Sequence, residues 1–274
     1  MKNKTIVITG ATSGIGEVAA IRLAQKGARI IFTARDAARA DTTMAKLRAA
    51  NPDADHTVHM GDLSMLADMK RVGREIAAAG PIDVLVNNAG ALFNSRQMTA
   101  DGLEKTFALN HMSYFVLTDI LLPSIRPGGR IVSVASGAHR GAQLDFDDLQ
   151  SERGYRGFAV YSRSKLMNIL FTRELAIRVT NSITANSLHP GFVATRFGDD
   201  TGGLTGAAFK LAKPIGAISP EEGAKTIIHL ASSPDVEGVS GKYFYKCKIE
   251  TPTREAQSDA DAKRLWEISE KIAS

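Results

Sequence analysis

Tyr161 and Lys165 stand four residues apart in a stretch, 158–179, whose pattern predicts a long helix, so the phenol and the ammonium share one face. An ammonium beside a phenol lowers the phenol's pKa, and such a pair could make a tyrosinate near neutral pH. Ser136, at the carboxyl end of a predicted fifth strand, adds a neutral hydroxyl donor toward the same crevice. Tyr155 offers an internal contrast: four residues on stands Ala159, so no ammonium accompanies it.

A second group of residues could hold an anion. Thr9-Gly10-Ala11-Thr12-Ser13-Gly14-Ile15-Gly16 lies between a β-branched run, Thr5 to Ile8, and a helix predicted from Gly14 to Lys26. Glycines there let the backbone approach a ligand, and the helix N-terminus attracts negative charge, so the position reads as a pyrophosphate site; a tight turn would use the same glycines. Glu17, where a phosphate-loop nucleotidase needs Lys-Ser or Lys-Thr after the last Gly, opposes that reading. At the end of the second predicted strand a cofactor ribose would meet Ala34 and Arg35. A guanidinium suits the 2′-phosphate of NADP, whereas an NAD site places a carboxylate there, so NADP(H) is preferred over NAD(H). Asp36 is the competing residue, and capping the next helix is its other use. Asp62 and Leu63 follow the third strand, where a carboxylate could meet an adenine amine or cap a helix. Asn87-Asn88-Ala89-Gly90 ends the fourth strand and could line the crevice or simply turn the chain.

The elements that must position these groups alternate. Strands are predicted at 5–8, 29–33, 56–60, 82–86, 130–134, 183–188 and 242–245, with the turn before the fifth at Gly128-Gly129. Between them lie helical patterns at 37–50, from Leu66 to Ile76, across 101–122 and at 158–179, and Ser219-Pro220 starts another. Right-handed crossovers between successive strands imply an α/β Rossmann fold: a doubly wound parallel sheet of about seven strands with helices on both faces. No repeat or linker divides residues 1–274, which read as one dinucleotide-binding and catalytic domain. The stretch 196–218, rich in Gly and without a period, reads as a substrate flap. Leu265, Trp266 and Ile268 give a C-terminal helix a face to pack on the body.

Composition excludes other classes. The 274 residues carry 34 Lys+Arg against 29 Asp+Glu, scattered rather than in runs, so nucleic acid is not an expected partner. Cys247 is the single cysteine, which leaves no intrachain disulfide and no thiolate cluster. His56 and His59 would point to opposite faces of a strand, so no metal site is expected, and His139 and His189 read as hydrogen-bonded structural groups. Neither a signal peptide nor a membrane-length apolar run is present, so a soluble, cytoplasmic protein without a membrane anchor is expected.

In combination and order, TGxxxGIG at 9–16, NNAG at 87–90, Asn110, Ser136, YxxxK at 161–165 and Pro190-Gly191 resemble the short-chain dehydrogenase/reductase family across nearly the whole chain. LNHMSYFVLT (109–118), SVASGAH (133–139), LHPGFVAT (188–195), SPEEGAKT (219–226) and GVSGKYF (238–244) look like its retinol dehydrogenase branch. The resemblance implies Tyr161 as general acid/base and Lys165 as the group that lowers its pKa and holds the nicotinamide ribose. It implies Ser136 as the polariser of a substrate carbonyl, and Asn110 in a water-linked proton relay. Gly10, Thr12, Ser13, Gly14, Ile15, Gly16, Arg35, Asp62, Leu63, Asn88, Ala89, Gly90, Pro190, Gly191, Val193 and Thr195 would bind the cofactor, together with Tyr161 and Lys165. The implied activity is NADP(H)-dependent hydride transfer between the nicotinamide and a small carbonyl or alcohol. The competing class is a catalytically silent dinucleotide sensor of the same fold. Membrane-bound members of the branch carry a hydrophobic N-terminal helix, whereas this sequence opens Met1-Lys2-Asn3-Lys4, so soluble carbonyls are the expected substrates. A homodimer or tetramer is expected for the family, and the insertion between Ser136 and Tyr161 could remodel the substrate mouth or the subunit contact.

Overall fold

The computed structural model describes residues 1–193 and 218–274. Seven strands pair in parallel: β1 (Thr5–Ile8), β2 (Arg29–Ala34), β3 (Thr57–Met60), β4 (Ile82–Asn87), β5 (Ile125–Val134), β6 (Thr184–Leu188) and β7 (Tyr243–Tyr245). An eighth, β8 (Lys248–Glu250), returns antiparallel on β7, and the order across the sheet is β3-β2-β1-β4-β5-β6-β7-β8. The sequence gives no warning of β8. The hairpin turns on Lys246 (φ 47°) and Cys247 (φ 61°), two left-handed positions filled without Gly or Asn, the residues by which such a turn is recognised. The fifth strand also differs from expectation: Ile82 already pairs with Ile125, and the register resumes at Val84 and Arg130. Gly128, at φ 75°, lies inside that irregularity rather than in a turn before the strand.

Alternation along the strands divides the core. Val7, Ile31, Leu85 and Ile131 face one side, where they meet α3 (Leu66–Ala78), α5 (Ser113–Leu121) and α6 (Gly157–Arg178). Ile6, Ile8, Ile30, Phe32 and Val86 face the other, against α1 (Gly14–Gln25), α2 (Ala37–Ala50) and α7 (Pro220–Ser232). Burial on both faces is why these strands are nearly continuous apolar runs. The C-terminal α8 (Asp259–Ala273) packs on α6 and α5 as its apolar face suggests: the Trp266 ring stacks on Phe171 at 5.8 Å and meets Phe115 edge-on at 4.9 Å. None of the described helices is long and apolar enough to cross a membrane.

The predicted helix at 101–122 resolves into three parts. The buried Glu104 carboxylate accepts from the amides of Thr106 and Phe107 and starts α4 (Lys105–Phe107). Residues Ala108–Met112 are wound as a π-helix, and α5 completes the run. Asn110 lies in the π segment, a local widening often found beside functional sites. Between β1 and β4 the strand order reverses, which leaves a crevice at the carboxyl edge of the sheet.

Candidate active site

The crevice is a cleft of about 940 Å³. Gly10, Thr12, Ser13, Gly14, Ile15 and Gly16 from the β1–α1 turn line it, as do Arg35 after β2 and Asp62 and Leu63 after β3. Asn88, Ala89 and Gly90 after β4, Ser136 after β5, Tyr161 and Lys165 on α6, and Pro190, Gly191 and Val193 after β6 complete the expected set. Thr195 and nearly all of the 196–218 stretch lie outside the described residues.

Two sequence motifs prove to be one structural unit. The Thr9 hydroxyl accepts from the amides of Asn88 (2.9 Å) and Ala89 (3.0 Å), while the Asn88 side-chain amide donates to the carbonyls of Thr9 (2.9 Å) and Gly10 (3.1 Å). Asn88 thus fastens the glycine turn from behind. Its packing demands glycine: a Cβ on Gly16 would stand 2.5 Å from the Gly10 carbonyl oxygen and closer still to the Asn88 amide. Gly10, at φ 66°, would press a Cβ to 2.9 Å from the Ala89 backbone. Gly16→Ala is therefore expected to cost about 1–3 kcal/mol as an overpacked site. Thermal unfolding checks this, and a midpoint unchanged within a degree would disprove the packing argument.

The first turn of α1 borders the cleft, and among the described residues the Ser13 side chain does not cap it, so its amides suit an anion. Glu17, which would oppose that charge, is drawn away to Lys46 at 2.8 Å. Asp36 caps α2, its carboxylate accepting from the Arg39 amide at 2.8 Å. Arg35 is left at the cleft wall, and Arg39 joins it there. Sequence reading missed Arg39, although a cation in the first turn of a helix opposes the helix dipole and is a usable sign. Asp62 makes a tight turn instead of a helix cap, with one oxygen accepting from the amide and hydroxyl of Ser64.

The reactive groups converge deeper in. The Ser136 hydroxyl hydrogen-bonds the Tyr161 phenol. Lys165 Nζ lies 5.6 Å from the Tyr161 ring centre and donates to the Val134 carbonyl at 3.0 Å. Burial moves both groups toward their neutral forms. It pushes the phenol up to about 12, with the Ser136 hydrogen bond acting the other way, and pulls the ammonium down to about 7. Burial thus favours the protonated phenol, whereas the i, i+4 spacing alone allowed that Lys165 could draw it toward a tyrosinate.

Asn110 stands behind the cleft rather than on its wall. Its amide accepts from the Ala91 amide (2.8 Å) and donates to the Ala91 carbonyl and to the Ser164 hydroxyl (both 2.9 Å), which ties the segment after Gly90 to α6. His139 and His189 are held as structural groups. His139 Nδ1 meets the Ser136 carbonyl at 2.7 Å, and His189 stacks on Tyr245 at 4.0 Å with Nε2 at 3.1 Å from Glu250. His56 accepts from the Ile30 amide and His59 meets Glu75. Tyr155 lies off the cleft, its hydroxyl donating to the Phe93 carbonyl at 3.1 Å. Leu92, Phe93, Leu109, Phe158, Phe192 and Tyr245 add an apolar wall, a role that sequence reading gave to none of them, although Leu109 and Phe192 stand in stretches that carry the family resemblance.

Comparison with known proteins fits this geometry. Residues 4–202 match the family model described as short chain dehydrogenase. The chain is 42% identical to mouse retinol dehydrogenase 14, over 98% of this chain and 86% of the relative. Human retinol dehydrogenase 13 is 37% identical over 98% and 84% of the two chains. Among solved structures, an uncharacterised protein from Mycobacterium paratuberculosis superposes with a TM-score of 0.79 at 29% identity, over 99% of this chain and 94% of that one. A blue fluorescent protein from a metagenomic library, solved with NADPH, superposes with a TM-score of 0.71 at 28% identity, over 89% and 96% of the two chains.

Proposed function

The chain belongs to the short-chain dehydrogenase/reductase family, in its retinol dehydrogenase branch, and on that premise we propose that it is an NADP(H)-dependent reductase of aldehydes or ketones. As a member it is an oxidoreductase acting on the CH–OH/C=O couple. The observation that carries the finer reading is the cleft itself: one cavity joins uncapped helix amides, two guanidiniums and the Ser136–Tyr161–Lys165 group. These residues fit the cofactor. The amides of the first α1 turn suit its pyrophosphate, and Arg35 and Arg39 suit a 2′-phosphate.

NADP(H), when bound, supplies or takes up the hydride. In reduction the Ser136 hydroxyl and the Tyr161 phenol donate to one carbonyl oxygen, and Tyr161 Oη passes its proton to that oxygen as negative charge develops. Its pKa of about 12 keeps the proton in place until then. Lys165 would favour the phenolate left behind and would hold the ribose hydroxyls of the bound cofactor. Asn110 shapes the site through Ala91 and Ser164, and a water-linked relay from Lys165 would pass along that side. The apolar wall suits a hydrophobic carbonyl or alcohol; the relatives are named for retinol, a hydrophobic alcohol, and soluble aldehydes or cyclic ketones would meet the same wall. The whole chain is read as one dinucleotide-binding and catalytic domain, in the cytoplasm.

NADPH oxidation against retinal, aliphatic aldehydes and cyclic ketones tests the activity. Turnover names the substrate class, whereas NADPH binding with no turnover on any of them would favour a sensor. Cofactor choice has its own test. Arg35→Ala with Arg39→Ala is expected to weaken NADPH binding by about 10- to 100-fold, the loss of charge-assisted contacts to one phosphate, and to leave NADH nearly unchanged. Equal weakening of the two would remove both arginines from the 2′-phosphate site.

A further inference from the structure

Three donors converge on a single buried backbone carbonyl. Val134 O receives Lys165 Nζ at 3.0 Å, the Tyr114 hydroxyl at 3.3 Å and the Asn168 side-chain amide at 3.4 Å. Tyr114 and Asn168 are fully buried, and Lys165 is 3% exposed. A carbonyl oxygen has two lone pairs, so a third donor weakens its rivals. The Tyr114 hydroxyl stays a donor throughout the working pH range, because burial and the neighbouring Tyr161 raise its pKa.

Resting on the functional reading above, we propose that Tyr114 and Asn168 are positioning residues: by occupying the Val134 carbonyl they keep the Lys165 amine on a shared, weak tether, so that it can turn to a bound cofactor without leaving a buried acceptor empty. An unmet buried carbonyl would be costly, and a lysine that was its sole partner would be held back by that cost. With two reserve donors in place, release is cheap. The arrangement spans three elements, since Tyr114 comes from α5, Asn168 and Lys165 from α6, and Val134 from the end of β5.

The groups facing Lys165 are few. Tyr161 on its own helix and Tyr114 on α5 present ring faces at 5.6 and 5.8 Å, and the Gly90 and Asn110 side of the cleft presents neutral atoms. Among the described residues no carboxylate contributes to its shift, which is due to burial. The strength of the one carbonyl contact is therefore the variable that Tyr114 and Asn168 can change.

The test is a lysine 13C NMR titration of the wild type, Tyr114→Phe, Asn168→Leu and the double variant, with Lys165→Met to identify the signal. NADPH dissociation constants and thermal midpoints are measured on the same samples. Freeing the carbonyl for Lys165 should stabilise its charged form, so its midpoint is expected to rise from near 7 by about one unit in the double variant. NADPH binding is expected to weaken by about 3- to 10-fold, the worth of one net hydrogen bond. An unchanged Lys165 midpoint would overturn the tether whatever happens to stability, and a shifted midpoint with unchanged NADPH affinity would overturn its role in positioning. If the wild type bound no nicotinamide cofactor, the functional reading would fail, while the titration would still decide the tether.

Discussion

Tyr161→Phe is expected to lower kcat/KM for carbonyl reduction by about 100- to 10,000-fold, the range lost when a positioned proton donor is removed. The substitution deletes one oxygen from a ring that is 8% exposed, so packing is preserved and the change falls on the chemistry. The Ser136 hydroxyl, which hydrogen-bonds that oxygen, remains as a donor to the substrate but has no proton of suitable acidity to transfer. NADPH affinity is expected to stay within about threefold, since the groups proposed above to hold its phosphates, Arg35, Arg39 and the first turn of α1, are left unchanged. Tyr155→Phe is the matched control. Tyr155 is not part of the cleft lining; its hydroxyl bonds Glu104, Thr106 and the backbone carbonyl of the wall residue Phe93, so the variant should keep turnover within a few-fold of wild type even if it melts earlier. A Tyr161→Phe enzyme within tenfold of wild type would mean that another group supplies the proton.

Lys165→Met should inactivate the enzyme and make it more stable at neutral pH. Burial lowers the Lys165 pKa from 10.5 to about 7 in the fold. Between those values the unfolded chain binds one more proton than the native one, so this group adds to stability as pH rises from about 7 toward 10.5 and opposes folding below that window. Met fills similar volume without a charge, so the variant lacks both the penalty and the rise. At pH 7 the gain is up to about 4 kcal/mol, from roughly 1.4 kcal/mol per pKa unit, less the lost hydrogen bond. Val134 O keeps Tyr114 and Asn168 as donors, so no acceptor is orphaned. Urea unfolding of both proteins at pH 6, 7, 8 and 9 reads the difference. The advantage of the variant should shrink steadily as pH rises, whereas a constant difference would show that Lys165 titrates alike in both states. For the wild type, kcat/KM for NADPH should fall as pH rises through about 7, because that parameter reports the free enzyme's protonation.

Much of the site was legible because it depends on local chain geometry. Strand-turn-helix units put the glycine loop, Arg35, Asp62, NNAG and Ser136 at the ends of successive strands, and parallel strands bring all such ends to one edge. The i, i+4 spacing likewise placed Tyr161 and Lys165 on one helix face. Less was legible where one segment's role depends on a distant one. Asn88 could be read as a cleft residue, but its hold on the Thr9 and Gly10 carbonyls joins residues nearly eighty positions apart. Asn110 has the right place in the order of motifs, yet its amide is spent on Ala91 and Ser164.

The sequence by itself determined the doubly wound sheet, the crevice at its carboxyl edge and the identity of the groups around it, since periodicity, turn chemistry and helix spacing act over a few residues. Tertiary structure alone decided the burial that raises the Tyr161 pKa and lowers that of Lys165, the company of Arg39, the hairpin that adds β8 and the sharing of the Val134 carbonyl. Desolvation is the reason for the first: how much water a phenol or an ammonium loses is set by every element packed around it, and no spacing along the chain encodes that. For the others the reason is convergence, because a carbonyl cannot acquire three donors from α5 and α6 until the helices are packed on the sheet.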